Sequence, residues 1–430
     1  MSPAAPDGSV RLGGLALRDH WFDVPLDHAY PDGEQIRLYA REVRAVDDST
    51  SDRPWLLFLQ GGPGGKSPRP TGASGWLGRA VKDFRVLLLD QRGTGRSTPV
   101  TARTILTRGD AESQADYLGH FRADSIVADA ELIRRRLVGE NGRWSVLGQS
   151  FGGFCILHYL SVAPAGLTGA YITGGLGPLT ATADDVYRAT YTTVRAKNDA
   201  YHAAFPGDRE LIESVAGYLR RHDVRLPDGS PLSVRRLQTV GMELGGKMRV
   251  PQVHYLLEEA FVPGPDGPEL SETFLRGVYG LISHAGAPLF AVLHEPLYAQ
   301  GQATAWAAER QRPPDFADDA EPLLLTGEMI YPFVFDDDPA LRPFRDAAHR
   351  LAERDDWPAL YDLDVLARND VPVAAALYTD DMYVDAGFSE QTAAAVRGLR
   401  VWKTNAYEHD GLRETDYVFD RLIKMARGEL

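Results

Sequence analysis

Short apolar runs alternate with segments of helical periodicity in the first part of the chain, and this alternation limits the folds that it can adopt. Helical spacing of apolar residues predicts a helix over 124–137, with Asp124 or Ser125 as its N-cap, and a second helix over 151–161. Apolar runs that end in loops are typical of strands buried on both faces of a parallel sheet. Such runs occupy residues 55–59, 86–89, 144–147 and 170–173. The alternation therefore predicts an α/β fold with a mostly parallel, doubly wound sheet.

The pattern changes after Gly175, and sheet-like character returns only near the end of the chain. An imperfect alternation at 35–44 predicts an early, edge-like strand, and further strands are predicted at 371–378 and 399–403. Between these parts the spacings are helical, and an amphipathic segment at 412–425 closes the chain. We therefore predict a helical cap inserted into a core that both ends of the chain build. The predicted division is a first core part at 1–177, the cap at 178–325 and a second core part at 326–430.

The sequence GQSFGG at 148–153 follows the run WSVL and opens a segment of helical character. Glycines on both sides of a serine permit a strained strand-to-helix turn that exposes the hydroxyl, which is the arrangement of a nucleophile elbow. Ser150 is therefore the candidate nucleophile. A plain glycine-flanked bend is the alternative, and this stretch alone leaves both interpretations open.

A nucleophilic serine needs a base to accept its proton and an acid to orient that base. In the α/β-hydrolase arrangement the acid and then the histidine follow the serine, on loops after late strands. His409 is the only histidine after residue 349 and follows the predicted strand at 399–403, so it is the candidate base. The preceding loop, TDDMYVD, offers three candidate acids, which are Asp380, Asp381 and Asp385.

The glycine-rich loop QGGPGG at 60–65 follows the predicted strand at 55–59. Its backbone N–H groups are unobstructed, so Gly61 or Gly62 is predicted to donate to an oxyanion together with the N–H of Phe151. The alternative for this loop is an ordinary Gly-Pro turn. A phosphate-binding loop is excluded, because that motif requires glycine at the position of Gln60.

Composition and charge exclude several classes of function. A net charge of −14, from 46 basic and 60 acidic residues, argues against binding to nucleic acid or to an anionic membrane surface. The single cysteine, Cys155, leaves no disulfide and no cysteine-rich metal site, and HEPLY at 294–298 lacks the second histidine of a zinc-protease helix. We predict a buried Cys155 and neither a metal nor a cofactor. The segment MSPAAPDGSVRLGG shows no secretory pattern, and no apolar run reaches about 18 residues, so the cytoplasm is the expected location.

Three blocks together, QGGPGG, DQRGTGRS (90–97) and GQSFGG, resemble the proline iminopeptidases, or prolyl aminopeptidases, of the α/β-hydrolase class. YTDDMYVD (378–385) and YEHDG (407–411) continue the resemblance. It implies an α/β-hydrolase fold and removal of an N-terminal residue, preferably proline, from short peptides by a serine mechanism. It also implies Asp381 as the orienting acid, because the family places this acid directly before a residue like Met382. One departure is Gln60, where the family often has histidine, and we expect it to alter loop anchoring more than mechanism.

An aminopeptidase has to recognise a charged amine near the scissile bond, which calls for carboxylates close to the serine and shielded from water. The resemblance implies that the cap supplies them. Glu295 and Glu328 lie among apolar and aromatic residues and are the first candidates, and Glu243 in GMELGG is the third. For each of them an exposed or salt-bridged glutamate is the alternative. The expected partners are small peptides with a free N-terminus.

Two other functions fit parts of the sequence. A serine esterase or amidase of the same fold would share the triad and the oxyanion loop, and only the family blocks and the candidate carboxylates argue against it. An epoxide hydrolase is disfavoured because Ser150 occupies the position of its aspartate nucleophile. A binding protein that has lost catalysis is disfavoured because candidates for all three triad members are present.

Overall fold

A nine-stranded sheet crosses the described part of the chain, which comprises residues 9–46 and 52–430 of a computed structural model. The strands are β1 Val10–Leu12, β2 Leu15–Pro25, β3 Gln35–Ala45, β4 Trp55–Leu59, β5 Arg85–Asp90, β6 Trp144–Gln149, β7 Leu167–Thr173, β8 Phe261–Gly264, β9 Gly267–Leu270, β10 Val373–Tyr378 and β11 Leu399–Thr404. Their order in the sheet is β1-β2-β3-β5-β4-β6-β7-β10-β11, while β8 and β9 form a separate hairpin. From β5 to β11 the pairs are parallel, and β1, β2 and β3 add an antiparallel edge.

Most strands lie where the apolar runs predicted them, and β4 matches its run residue for residue. The strand predicted at 35–44 was expected at a sheet edge, and this expectation is wrong, because β3 lies between β2 and β5. Its neighbour β2 was not predicted, since consecutive polar residues at 18–20 interrupt its apolar pattern. Pairing with β3 nevertheless continues from Leu15 to Pro25. Residues 1–8, the first part of the segment in which no secretory signal was predicted, lie outside the described residues.

Helices cover both faces of the sheet, as a doubly wound fold requires. One face packs against α3 (Ala123–Val138) and α4 (Phe151–Val162), and the other packs against α1 (Gly75–Ala80) and α17 (Tyr417–Arg427). Cys155 in α4 is fully buried, as predicted. The helices are α1 Gly75–Ala80, α2 Ala111–Gly119, α3 Ala123–Val138, α4 Phe151–Val162, α5 Ala183–Ala204, α6 Asp208–Arg221, α7 Val234–Gln238, α8 Val250–Glu258, α9 Glu272–Ile282, α10 Pro288–Leu293, α11 Ala307–Arg310, α12 Val334–Asp337, α13 Arg345–Glu353, α14 Leu363–Ala367, α15 Ala386–Ala395, α16 Gly411–Glu414 and α17 Tyr417–Arg427.

The chain leaves the sheet after β7 and returns to the adjacent position with β10, where Ala170 pairs with Val373. Between these strands it forms α5 to α14, and the hairpin of β8 and β9 contributes the strands there. A helical segment inserted into the sheet agrees with the predicted fold class, while the division into a cap at 178–325 and core parts on either side stays a prediction.

Two helix boundaries differ from the sequence-based prediction. The helix predicted to begin at Asp124 or Ser125 begins at Ala123, with Arg122 as its N-cap. The Arg122 guanidinium is buried and donates to the carbonyl of Ala299 at 2.9 Å, so a contact with the inserted segment accompanies the start of the helix. The amphipathic segment at 412–425 is broken into α16 and α17, because residue 415 is extended.

A long apolar helix of the kind that crosses a membrane is absent from residues 9–46 and 52–430.

Candidate active site

Ser150 lies in the turn between β6 and α4, with φ 56° and ψ −124°. A residue with a Cβ adopts this positive φ only at a cost of about 1 to 3 kcal/mol, so the turn is strained in the way a nucleophile elbow requires. The flanking glycines are needed because the backbone segments touch. A Cβ on Gly148 would lie 2.3 Å from the Gly152 oxygen, and a Cβ on Gly152 would lie 2.0 Å from the Leu59 oxygen. The sequence therefore folds here into a strained elbow rather than a loose bend.

Asp381 and His409 meet where two neighbouring parallel strands, β10 and β11, end. The Nδ1 atom of His409 lies 2.7 Å from Oδ2 of Asp381, and both side chains are buried. The other oxygen of Asp381 accepts hydrogen bonds from the backbone N–H groups of Tyr383 at 2.8 Å and Val384 at 3.1 Å. The loop therefore holds this carboxylate in a fixed orientation toward the imidazole.

The two other acids of this loop have different partners. The Oδ1 of Asp380 accepts from the Thr379 hydroxyl at 3.1 Å in an exposed position. Asp385 is the N-cap of α15 and accepts from the backbone N–H of Phe388 at 2.9 Å. Of the three acids that the sequence left open, Asp381 is the one in contact with His409.

The Asp381 carboxylate changes the proton affinity of His409. Burial alone would lower the pKa of His409, but the charge of Asp381 and its hydrogen bond raise the pKa above its ordinary value. A base oriented through Nδ1 leaves Nε2 to exchange protons with a substrate or a serine. The pair has the chemistry of a general base with its orienting acid.

The predicted oxyanion loop lies directly against the serine. A Cβ on Gly61 would be 2.9 Å from the Cβ of Ser150, so the loop backbone reaches the nucleophile because residue 61 has no side chain. Gly62 has φ 136°, a backbone conformation that glycine adopts readily and residues with a side chain rarely adopt. Phe151 is the first residue of α4, and the first N–H groups of a helix have no intrahelical acceptor. These are the donors that the sequence predicted, and their role as an oxyanion hole stays a prediction.

The block DQRGTGRS contacts the glycine-rich loop and the segment after it. The Nε2 of Gln91 donates to the carbonyl of Gln60 at 3.1 Å. Asp90 accepts from the backbone N–H of Ser67 at 3.1 Å through Oδ1 and from the backbone N–H of Arg96 at 2.8 Å through Oδ2. A Cβ on Gly95 would lie 2.2 Å from the Asp90 carboxylate, so only glycine fits there. Through these contacts the block connects the glycine-rich loop and Ser67 to the end of β5.

A cavity of about 320 Å³ opens above Ser150. Ser150, His409, Gly61 and Gly62 line it, and so does Glu328. Cap residues close the other side, among them Met242, Leu281 and Phe290. The predicted nucleophile, base and loop therefore face one common space.

Comparisons with known proteins identify the family. The model of the alpha/beta hydrolase fold matches residues 54–414. A proline iminopeptidase of Aeromonas sobria is 48% identical over 421 residues, which covers 97% of this chain and 98% of that protein. The chain belongs to the proline iminopeptidases.

A second relative is more distant and spans nearly the same length. A proline iminopeptidase of Aspergillus aculeatus is 34% identical over 415 residues, covering 93% of this chain and 91% of that protein. Among solved structures, a proline iminopeptidase from Mycobacterium smegmatis is 14% identical, covers 96% of this chain and 100% of that chain, and has a TM-score of 0.43.

Among the carboxylates predicted to bind the substrate amine, Glu328 is the one that lines the cavity. Burial raises the pKa of Glu328 to about 8, although the nearby His409 acts to lower it. Its Oε2 lies 3.9 Å from Nε2 of His294, whose own pKa is lowered to about 4 by burial, so this neighbour is uncharged near neutral pH. Among the described residues no Lys or Arg forms an ion pair with Glu328, although the charge of Arg249 also acts to lower its pKa.

Glu295 and Glu243 are placed differently. The carboxylate of Glu295 accepts from the backbone N–H groups of Ala307 at 3.1 Å and Ala308 at 2.8 Å, and burial raises its pKa to about 7. Glu243 lies 3.6 Å from the guanidinium of Arg249, and burial raises its pKa as well. Neither residue is among those that line the cavity. Their assignment to amine binding stays a prediction.

Three charged residues of the cavity wall were missed by the sequence analysis. Arg249, Asp410 and Arg413 all line the cavity. Asp410 follows His409 directly, and its proximity was the one signal available. The two arginines occupy segments of helical spacing, where a solvated helix face is the ordinary interpretation.

Proposed function

We propose that this chain is a serine aminopeptidase that releases N-terminal proline from short peptides through an acyl-enzyme on Ser150. One observation carries the proposal. A single cavity contains a serine on a strained elbow, a histidine bonded to a buried aspartate, and the partly buried carboxylate of Glu328, with which no Lys or Arg of the described residues forms an ion pair. The first two features suit acyl transfer, and the third suits a substrate that brings its own ammonium group.

The acylation step follows from these positions. His409 accepts the hydroxyl proton of Ser150 while the oxygen attacks the scissile carbonyl, and Asp381 stabilises the imidazolium that forms. The backbone N–H groups of Phe151 and of Gly61 or Gly62 donate to the oxyanion. His409 then gives the proton to the leaving nitrogen, the C–N bond breaks, and the shortened peptide departs. Water, deprotonated by His409, hydrolyses the prolyl ester and restores the serine.

Glu328 is proposed to bind the protonated imino group of the N-terminal proline. Burial raises the pKa of Tyr298, and the charges of Glu328 and Glu295 raise it further. Glu295 contributes negative charge from behind the cavity wall, where backbone N–H groups hold it. The site thus selects a free amine at a fixed distance from the scissile bond.

The decisive experiment compares proline p-nitroanilide, N-acetylproline p-nitroanilide and alanine p-nitroanilide. Acetylation removes the positive charge and adds bulk where the pocket ends, so the blocked substrate should be cleaved poorly and the free proline amide best. Equal cleavage of blocked and free substrates would replace the proposal with an esterase or amidase of this fold. No cleavage of any of them, nor of p-nitrophenyl acetate, would favour a binding protein.

Glu328→Gln is expected to lower kcat/KM for proline p-nitroanilide by a factor of about 30 or more, because removing one partner of a buried charge pair costs about 2 to 5 kcal/mol. Hydrolysis of p-nitrophenyl acetate, which carries no ammonium, should stay nearly unchanged. Glu295→Gln is expected to act in the same direction with a smaller loss, since its carboxylate does not line the cavity. Equal rates of wild type and both variants on the proline amide would place the amine site elsewhere, with Glu243 next.

The two substrates should also differ in their dependence on pH. His409 has to be neutral, and its pKa is raised, so kcat/KM should rise on the acid side through an apparent pKa above the ordinary histidine value of about 6.5. Glu328, with a pKa raised to about 8, must also lose its proton to bind an ammonium. The acid limb for proline amide should therefore lie at higher pH than the limb for p-nitrophenyl acetate. If the acid limbs for the two substrates coincided, Glu328 would not be the residue that binds the amine.

The cytoplasmic location and the restriction to small peptides stay predictions of the sequence.

A further inference from the structure

Two arginines line the active-site cavity together with Glu328, although the proposed substrate end is a cation. The guanidinium of Arg249 is held by several partners. Its Nη2 lies 3.1 Å from Oδ2 of Asp410 and donates to the Tyr383 hydroxyl at 2.9 Å, and its Nη1 lies 3.6 Å from Glu243. Asp410 and Glu243 therefore neutralise the charge of Arg249, and the contacts of Arg249 hold these parts of the cavity wall together.

Arg413 is much less constrained. Its contacts are long: Nη2 lies 3.3 Å from Oε1 of Gln149, and Nη1 lies 3.6 Å from Oδ1 of Asp410. Its side chain is 56% exposed, and a guanidinium has five N–H donors, more than these contacts use. Arg413 therefore presents a cation with free hydrogen-bonding capacity to the cavity.

Arg413 is close to His409 in the chain and lines the same cavity. In the proposed mechanism His409 gives its proton to the leaving nitrogen, so the leaving residue has to lie beside His409. Arg413 follows His409 on the same short segment, within α16, and its guanidinium contacts Gln149, the residue directly before Ser150. We therefore expect the leaving residue and this guanidinium on the same side of the cavity.

We propose that Arg413 binds the free α-carboxylate of the residue that leaves, and that the preferred substrates are dipeptides with proline first. This inference rests on the proposed aminopeptidase function. In a dipeptide a single α-carbon separates the carboxylate from the scissile nitrogen, so an arginine beside His409 is within reach. Planar guanidinium and carboxylate groups form paired, charge-assisted hydrogen bonds.

The cavity then recognises both ends of a zwitterion. Glu328 receives the ammonium of the proline, and Arg413 receives the carboxylate of its neighbour. Each additional residue moves the carboxylate about 3.3 to 3.6 Å along an extended peptide. The contribution of Arg413 should therefore be greatest for a dipeptide and decline with peptide length.

The test measures kcat/KM for Pro-Ala, for Pro-Ala amide and for proline p-nitroanilide. The variants are Arg413→Gln and Arg413→Lys, with Arg427→Gln as the control. Arg427 is similarly exposed at 48% and pairs with Asp83, away from the cavity. The quantity of interest is the ratio of Pro-Ala to Pro-Ala amide in each protein, because the intrinsic reactivity of the two leaving groups cancels when this ratio is compared between proteins.

Arg413→Gln should reduce the ratio about tenfold, as expected for one charge-assisted contact at a half-exposed site, and Arg413→Lys should retain part of it. Cleavage of proline p-nitroanilide, which has no carboxylate, should stay within about twofold of wild type, and Arg427→Gln should change neither. Raising the salt concentration should lower the ratio in wild type and leave it unchanged in Arg413→Gln.

An unchanged ratio in Arg413→Gln would overturn the inference while leaving the aminopeptidase function intact. An equal loss on all three substrates would also overturn it, because it would assign Arg413 to support of the His409 loop. Wild-type protein that cleaves neither proline p-nitroanilide nor Pro-Ala would instead refute the proposed function, and the inference with it.

Discussion

Ser150→Ala is expected to lower kcat for proline p-nitroanilide by about four to six orders of magnitude, as is typical when the nucleophile of a triad is lost. The variant should fold normally. Alanine keeps the Cβ that serine already places at φ 56°, so the strain of the elbow does not change. Only the attacking oxygen is lost, and the remaining rate should come from substrate binding and the oxyanion donors.

A matched control is Ser161→Ala, in the last turn of the same helix, whose hydroxyl donates to the Leu157 carbonyl at 3.0 Å. Its activity should be close to that of wild type, and thermal unfolding of both variants shows whether the fold is retained. A serine-directed phosphonate should label wild type and Ser161→Ala but not Ser150→Ala. Turnover near the wild-type rate in a folded Ser150→Ala protein would refute the acyl-enzyme mechanism.

Asp381→Asn is expected to lower kcat by about four orders of magnitude, because asparagine can present its amide N–H to Nδ1 and hold the imidazole in the wrong tautomer. The carboxylate that raises the pKa of His409 is also removed, so the acid limb of the remaining activity should move to lower pH. Steady-state kinetics across the pH range measure both effects.

The neighbouring Asp380 provides the control for this prediction. Asp380→Asn makes the same chemical change one residue earlier, in an exposed carboxylate that contacts Thr379 rather than His409. It should retain nearly full activity. Loss of activity in Asp380→Asn together with retention in Asp381→Asn would move the orienting acid by one residue.

The sequence predicted those elements whose burial leaves a simple pattern. Strands such as β4 and β6 are covered on both faces, so their apolar runs are continuous and their bounds can be read closely. The outer strand β2 alternates buried and exposed residues irregularly, and no run marks it. The single helix expected near the end of the chain is divided in two, because a hydrophobic period does not report one extended residue.

The site was predictable to the extent that chain order constrains it. Ser150 and His409 follow from the elbow and from the order of the triad, whereas the choice of Asp381 among three acids required the family resemblance. Glu295 and Glu328 occupy similar apolar surroundings in sequence, and only the folded cap shows that the first meets backbone N–H groups and the second meets the cavity. Arg413 gave no signal, since an arginine in an amphipathic segment is ordinarily a solvated residue.

The insertion of the cap between β7 and β10 also has a consequence for biosynthesis. The partner that covers one side of β7 is β10, and it is translated only after the whole cap. At about 5 to 20 residues per second, a nascent chain presents the apolar edge of β7 without its native neighbour for on the order of 10 to 40 s. An uncovered edge of this kind is where strands of other chains pair. We therefore expect the interval before β10 emerges to be one in which this edge is open to pairing with other chains.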